Sequence, residues 1–211
     1  MAHELALSVQ AVSHSAPRGL PHARPDRAEE ETAIAVTRAR TQADLRVVAL
    51  LLQSLYAARG YLVSRLEANL DSDLILVATA SGEPVGTLTL RFDGSDGLRA
   101  DETYGEELDA ARARGRCVCE LGRFAVARTA RSSAVIEALF REAHQIVRDR
   151  GGIDDVFIEV NPRHAAFYRH KFGFCVAAEG RQCARVLAPS VLLRLEVAAF
   201  EAQRMRAPVF G

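Results

Sequence analysis

"CELGRFAVARTARSSAVIEALF", residues 119–140, places a carboxylate and a guanidinium three positions apart in a run that otherwise has the composition of a buried strand, then turns into a helix. Strand side chains alternate between faces, so unbroken alternation sends Glu120 and Arg123 to opposite sides of the sheet. For the two to act together, one extra residue must be absorbed between them. Gly122 is the natural place, because glycine inside a strand pattern marks a bulge or a close backbone approach. A bulge there puts both charged groups on one face and leaves backbone N–H groups toward a cleft, donors suited to holding an oxyanion. The same residues also fit a structural ion pair beside a packing glycine.

The helix that follows carries Arg128, Arg131, Ser132 and Ser133 around its first turn. Free N–H groups, the positive end of the helix dipole and two arginines suit a phosphate or pyrophosphate, while capping is the ordinary use of Ser132 or Ser133. Val135, Ile136, Leu139, Phe140, Ala143, Ile146 and Val147 form one wide apolar stripe, and Gly151-Gly152 ends the helix.

Downstream, "DDVFIEVNPRHAAFYRHKFGF" (154–174) reads as a strand and a second helix. Val156, Ile158 and Val160 face one way, and Phe157, Glu159 and Asn161 the other, which puts a second carboxylate at a strand end. Pro162 suits a first helical position. Tyr168, further along that helix, is placed to protonate a leaving thiolate or, equally, to be a core aromatic. His164 and His170, six apart, do not share a helix face, so no metal pair is expected.

Upstream, "TAIAVTR" (32–38) alternates like a strand, and a helix follows behind a Thr41 cap with Leu45, Val48, Leu52 and Leu55 at helical spacing. "DLILVATASGEPVGTLTLRF" reads as a hairpin. "DGSDGLRADETYGEELDAARARG" is a loop and a helix polar nearly all round, expected to bury little and to lie over the surface or a cleft. "SVLLRLEVAAFEAQRMR" is a last strand and short helix. Strand–helix alternation in the second half predicts parallel strands with crossovers, and the hairpin adds antiparallel ones. The expected fold class is therefore α/β, a mixed sheet with helices on its faces.

With 211 residues, 49% hydrophobic and 26% charged, the chain has the composition of one globular domain, expected over 32–211. Residues 1–31, proline-rich and charged without an apolar segment, are expected to be a disordered tail. Balanced charge, 27 basic against 27 acidic residues, gives no pull toward nucleic acid. No window has the roughly 20 apolar residues that cross a bilayer. Cys117, Cys119, Cys175 and Cys183 lack paired zinc spacing and a secretory signal, so reduced thiols and a cytoplasmic location are expected. Cys117 or Cys119 as an acyl-carrying nucleophile lacks a histidine placed to activate it.

"EVNPRHAAFYRHKFGF" resembles the acyl-cofactor end of the GNAT acyltransferase fold, and "CELGRFAV" resembles the corresponding strand of acyl-homoserine-lactone synthases. The ordered set "LYAARGY", "VGTLTLRFD", "GLRADETYGEELDAARARGR", "CELGRFAV", "IEVNPRHAAFYRHKFGF" and "APSVLLRLE" is similar to FeeM-type long-chain N-acyl amino acid synthases from about residue 32 onward. The resemblance implies a central mixed sheet with splayed parallel strands and transfer of a fatty acyl group to the α-amine of an amino acid. The donor is then acyl carrier protein or acyl-CoA, with no permanently bound cofactor and no metal, and the protein is a monomer or weak dimer. Glu120 and Arg123 fall at the active-site charged pair, with Glu120 the first candidate base, Glu159 the second and Tyr168 the donor to sulfur. Leu121, Phe124, Ala125, Val126, Arg128, Arg131, Ser132, Ser133, Asn161 and Phe167 are implied to line the acyl-phosphopantetheine, under a helical insertion at 98–115. "ARTARSSA" lacks the glycines of the usual pyrophosphate loop, which tilts the donor toward a carrier protein. Gly122 stands where serine or threonine is usual.

The rival readings are an acetyl-CoA-dependent N-acetyltransferase, a lactone synthase using S-adenosylmethionine, whose N-terminal aromatic and arginine pattern is missing, and a non-catalytic acyl-binding module.

Overall fold

The computed structural model describes residues 33–57, 70–128, 132–183, 185 and 188–206, all within one compact unit, Thr32–Gly211. The tail expected at 1–31 lies outside them. In chain order the elements are β1 (Ile34–Arg38), α1 (Gln42–Ala57), β2 (Asp73–Ala80), β3 (Glu83–Phe92), α2 (Asp101–Ala113), β4 (Val118–Val126), α3 (Ser132–Arg150), β5 (Asp155–Val160), α4 (Pro162–Phe172), β6 (Cys175–Cys183), β7 (Ala188–Glu196) and α5 (Val197–Arg206). The strands form one sheet in the order β1-β2-β3-β4-β5-β7-β6. Among the described residues only β4 and β5 pair in parallel. This is the mixed α/β sheet that the alternation predicts.

Each face of the sheet has its own core. On one, the stripe of α3 packs with Tyr168 of α4 on Leu88, Leu90, Cys119, Leu121, Val156 and Ile158. The other carries two smaller cores. Val48 and Leu52 of α1 meet Ile75, Val77 and Ala125, and α2 meets Val118, Phe157 and Leu192. Local signals set several boundaries. Thr41 Oγ1 accepts from the Asp44 N–H at 3.2 Å while Asp44 Oδ2 accepts from the Thr41 N–H at 2.9 Å, a reciprocal cap on α1. α4 starts on Asn161 and Pro162 and stops at Gly173, whose φ of 77° is left-handed.

Three expectations need correction. α2 is not a helix that buries little: Tyr104, Leu108 and Ala111 are buried, and the Tyr104 hydroxyl donates to the Ser190 carbonyl at 2.7 Å. Arg181 of β6 caps the contact, bonding Glu107 and lying 4.9 Å from the centre of the Tyr104 ring. β6 has no counterpart in the sequence reading, because "CVAAEGRQC" holds one β-branched residue and forms a largely exposed edge.

The third correction concerns the bulge. It exists: Thr89 lies opposite Gly122 and Thr87 opposite Ala125, so two steps on β3 answer three on β4. The left-handed residue, however, is Arg123, at φ 48°, and not Gly122. After the bulge the facing of β4 is inverted. Leu121, Phe124 and Val126 all pack with the α3 core, while Ala125 joins the α1 core. Arg123 thereby shares its face with Glu120.

Pairing between β4 and β5 runs from Val118–Asp155 to Leu121–Ile158 and stops, although β4 continues to Val126 and β5 to Val160. The two strands part at the bulge.

α3 crosses β3 closely at Gly86, where an added Cβ would lie 2.9 Å from Val135 Cγ1 and 3.2 Å from Leu139 Cδ1. Overpacking of a close-packed core costs about 1–3 kcal/mol. Gly86→Ala is expected to lower the unfolding free energy by that amount, read as a lower urea midpoint at an unchanged m value, and an unaltered midpoint would show that α3 shifts freely.

Candidate active site

The face of the sheet under α1 and α2, beside the point where β4 and β5 part, carries a buried polar cluster. Glu120 is 3% exposed, and its Oε2 accepts from the backbone N–H groups of Arg99 at 2.6 Å and Ala100 at 3.1 Å. These amides lie just before α2, so the segment entering the helix orients the carboxylate; Arg123 does not. Burial raises the pKa of Glu120, against the opposing pull of the Ala100 N–H and of the Arg185 and Arg99 charges.

Asp73, at the start of β2, is the hub for the arginines. Arg99 forms an ion pair with its Oδ2, Arg123 lies 3.2 Å from the same oxygen, and Arg91 lies 3.8 Å from Oδ1. Burial, with Arg99 nearby, pushes the Arg123 guanidinium down to about 10, and Asp73 pulls the other way. Arg91 stands opposite Glu120 in the β3–β4 register. Glu159 of β5 is two residues past Phe157, the register partner of Glu120, and so projects diagonally from it on the same face. Its Oε2 is ion-paired with Arg185.

Four guanidiniums, those of Arg91, Arg99, Arg123 and Arg185, surround three carboxylates, those of Asp73, Glu120 and Glu159. Two exposed acids join them, Asp96 at 3.8 Å from Arg91 and Glu102 at 3.5 Å from Arg185, so the charges nearly balance. On this face Thr87 Oγ1, Thr89 Oγ1, Arg91 Nε and Glu159 Oε1 are buried and make no N–H or O–H hydrogen bond among the described residues. Each such atom costs about 1–3 kcal/mol unless water or a ligand meets it. The cluster has the polarity of a site for a small zwitterion or acid.

The other face is apolar. Tyr168 is 6% exposed and meets Phe124, Phe140, Phe167 and Phe174 edge-on or tilted, with centroids 5.2–6.3 Å apart. Burial raises its pKa above the ordinary tyrosine range, so it holds its proton at neutral pH. Beyond it, a cavity of about 410 Å³ is lined chiefly by Leu121, Phe140, Val156, Phe172, Leu195 and Phe200, between α3, α4 and α5. Leu121, the last β4 residue paired with β5, belongs to its wall.

The remaining expected residues lie at the end of β4, at the start of α3 and in α4 with its cap, outside the polar cluster. Arg128 is exposed, Ser132 donates to the Ala127 carbonyl at 2.9 Å, and Ser133 is exposed at the start of α3. Arg131 lies outside the described residues. Asn161 is engaged in capping, accepting from the Arg163 N–H and donating to the Pro189 carbonyl at 3.2 Å. Phe167 is 36% exposed beside Tyr168. Sequence reasoning missed Asp73, Arg91, Arg99 and Arg185. Asp73 and Arg91 carry a signal, charges at the ends of two apolar strands, whereas Arg99 and Arg185 sit in loops and acquire partners only through the fold.

The family described as N-acyl amino acid synthase FeeM matches residues 47–196 of the chain. The chain belongs to the FeeM family of N-acyl amino acid synthases. The structure of FeeM from uncultured soil microbes is similar at 23% identity and a TM-score of 0.74, covering 82% of this chain and 95% of that one. A putative N-acetyltransferase from Lactobacillus plantarum (16% identity, TM-score 0.57, covering 78% and 99%) shares the fold. So does the AHL synthase LasI (16%, 0.56, covering 79% and 91%). No curated protein matches the chain in sequence.

A member of this family is an acyltransferase on the GNAT fold. Among the described residues no helix is long and apolar enough to cross a membrane. In the FeeM-family site a thiol intermediate is poorly served. Burial pushes the Cys119 thiol up to about 12 and raises that of Cys183, and Cys119 faces the α3 core, away from Glu120.

Because folding raises the Glu120 pKa, the neutral carboxyl is the form the fold prefers. Its contribution to stability is full below the unfolded-state value and is lost as pH rises through the folded one. Glu120→Gln keeps an acceptor for the Arg99 and Ala100 amides without the buried charge. Its thermal midpoint is expected to exceed the wild type's at pH 7, with the gain vanishing at acid pH. A lower midpoint at pH 7 would mean that attraction to Arg99 and Arg185 outweighs burial.

Proposed function

We propose that the protein moves a long-chain fatty acyl group from a phosphopantetheine thioester, carried by acyl carrier protein or coenzyme A, to the α-amine of an amino acid. The observation that carries this reading is Glu120: a buried carboxylate of raised pKa, held by two backbone amides, at the point where two parallel strands part. The opening beyond Leu121 and Ile158 is open on its β4–β5 edges to backbone contacts with an extended pantetheine arm. That arm would join the polar cluster on one face of the sheet to the apolar cavity on the other.

The acceptor carboxylate is met by the Arg123 and Arg99 guanidiniums beside Asp73, and the amine by Glu120 and Glu159. Glu120 takes the proton from the attacking nitrogen as the C–N bond forms. The tetrahedral oxyanion collapses, the C–S bond breaks, and Tyr168 protonates the departing sulfur. Burial makes Glu120 a stronger proton acceptor than an exposed carboxylate, and Tyr168 keeps its proton. The remaining energy comes from holding amine and thioester together.

The apolar cavity favours a long acyl donor over acetyl-CoA, because an acetyl group has nothing to place in it. The run entering α3, "ARTARSSA", has no glycine loop, which favours a carrier-protein donor with its single phosphate. The expected polypeptide partner is acyl carrier protein, and residues 98–115, which include α2, form the cover of the site. A cytoplasmic location and a monomer or weak dimer accord with this role.

The purified protein, given free amino acids and either long-chain acyl carrier protein, long-chain acyl-CoA or acetyl-CoA, is expected to make N-acyl amino acids from the long-chain donors, detected by mass spectrometry. Robust transfer from acetyl-CoA alone would replace the proposal with an acetyltransferase. Glu120→Gln is expected to lower kcat by about 10²–10⁴, the usual range for loss of a general base. Ala143→Leu, which fills the cavity wall, is expected to shift donor preference toward shorter chains, measured by kcat/KM across a chain-length series.

A further inference from the structure

Glu120 and Glu159 are two buried acids on one face, flanking one opening, and transfer to an amine needs one base. Their partners differ: backbone amides hold Glu120, and a guanidinium holds Glu159. Arg185, between β6 and β7, is ion-paired with Glu159 Oε2, donates to the Arg99 carbonyl and lies 3.5 Å from Glu102 of α2. The N–H of Arg99, in turn, donates to Glu120 Oε2. One guanidinium therefore touches Glu159 directly and Glu120 through one residue.

We propose that Arg185 is a positioning residue that divides the labour between the two acids. It ties Glu159 into an ion pair, and by gripping the Arg99 carbonyl it presents the amides that aim Glu120 as the proton acceptor. The inference rests on the acyl-transfer reading above only for the reaction it serves; the arrangement of charge can be tested without turnover.

The groups around Glu120 make the sign of the effect clear. Arg91 stands opposite it on β3, Arg99 donates to it from the segment entering α2, Glu159 lies diagonal to it on β5, and Glu102 of α2 is linked to it through Arg185. Arg123 and Cys119 lie on its own strand, and Asp73 of β2 is tied to Arg99. Tyr56 of α1 is within electrostatic reach of Arg123, and Cys183 of β6 stands beside Glu159 and Arg185. Among these, Arg185 and Arg99 favour the ionised form of Glu120. Removing Arg185 takes away one of the two and leaves Glu159 without its counter-ion. Both changes make Glu120 harder to ionise.

The test compares Arg185→Ala, Arg185→Gln and Arg185→Lys in the full chain, with circular dichroism to verify folding. The pH profile of kcat/KM is measured with the donor and acceptor that give turnover. In parallel, the Glu120 carboxyl is titrated by ¹³C NMR in the ligand-free protein and assigned with Glu120→Gln. In the Ala and Gln variants the acid limb and the carboxyl titration are expected to move together to higher pH. At pH values on the wild-type limb, kcat/KM then falls on the order of tenfold or more. Lysine, which keeps the charge, is expected to hold the limb in place. A uniform loss of rate with the limb and the carboxyl titration unmoved would overturn the proposal and leave Arg185 a structural tie. If Ala does not fold, Gln supplies the neutral comparison. If the wild type gives no N-acyl product from any donor, the acyl-transfer reading fails, and the carboxyl titration still decides the part played by Arg185.

Discussion

An extra residue in β4, carried by Arg123 at a left-handed φ, inverts the facing of every side chain after it in the strand. Three consequences follow from that one insertion. Arg123 comes to the face of Glu120, where Asp73 receives it. Phe124 and Val126 come to the opposite face, where they complete the wall around Tyr168. The strand also bends away from β5 at the position where their ladder ends. A non-glycine residue at positive φ costs of order 1–3 kcal/mol, and such strain concentrates where function requires an unusual backbone. Gly122, one step earlier, is free of this demand, since an added Cβ there would meet nothing closer than Glu120 Oε1 at 3.7 Å.

The polar cluster is an arrangement that a purely structural core would avoid. Three carboxylates and four guanidiniums are drawn from six different parts of the chain, and among the described residues four buried polar atoms on the same face make no N–H or O–H hydrogen bond. Replacing such a cluster by apolar side chains is often neutral or stabilising, so burial of this much charge indicates a use. What keeps it ordered is α2. The Tyr104 hydroxyl bond to Ser190, the Arg181–Glu107 pair and the Arg112 bonds to Asp93 and Asp101 hold the helix from three sides. The amides before its first turn then have a fixed position from which to grip Glu120.

Much of this architecture was legible in the sequence. Alternation and helical stripes marked every element but β6, and the conflict between period two and the Glu120–Arg123 spacing pointed to the bulge. What misled was local chemistry that the fold overrides. Glycine is the usual host of a positive φ, so Gly122 was the expected place, yet the register puts the turn on Arg123. A helix with charges on most positions reads as superficial, and only the partners on β5 and β7 show that Tyr104, Leu108 and Ala111 make a core. Arg99 and Arg185 were invisible for a related reason. Each is one arginine among many in a loop, and their meaning comes from carboxylates 26 residues away in the chain in both cases.

Four registered pairs join β4 to β5, against five to eight at every other neighbouring pair in the sheet. The sheet is thus two half-sheets, β1 to β4 and β5-β7-β6, stitched along a short line. Along that line the fewest backbone hydrogen bonds stand in the way of a guest, so the proposed acyl chain would enter where the sheet gives up least. The charged groups sit on both sides of it, Asp73, Glu120 and Arg123 on one half-sheet and Glu159 on the other.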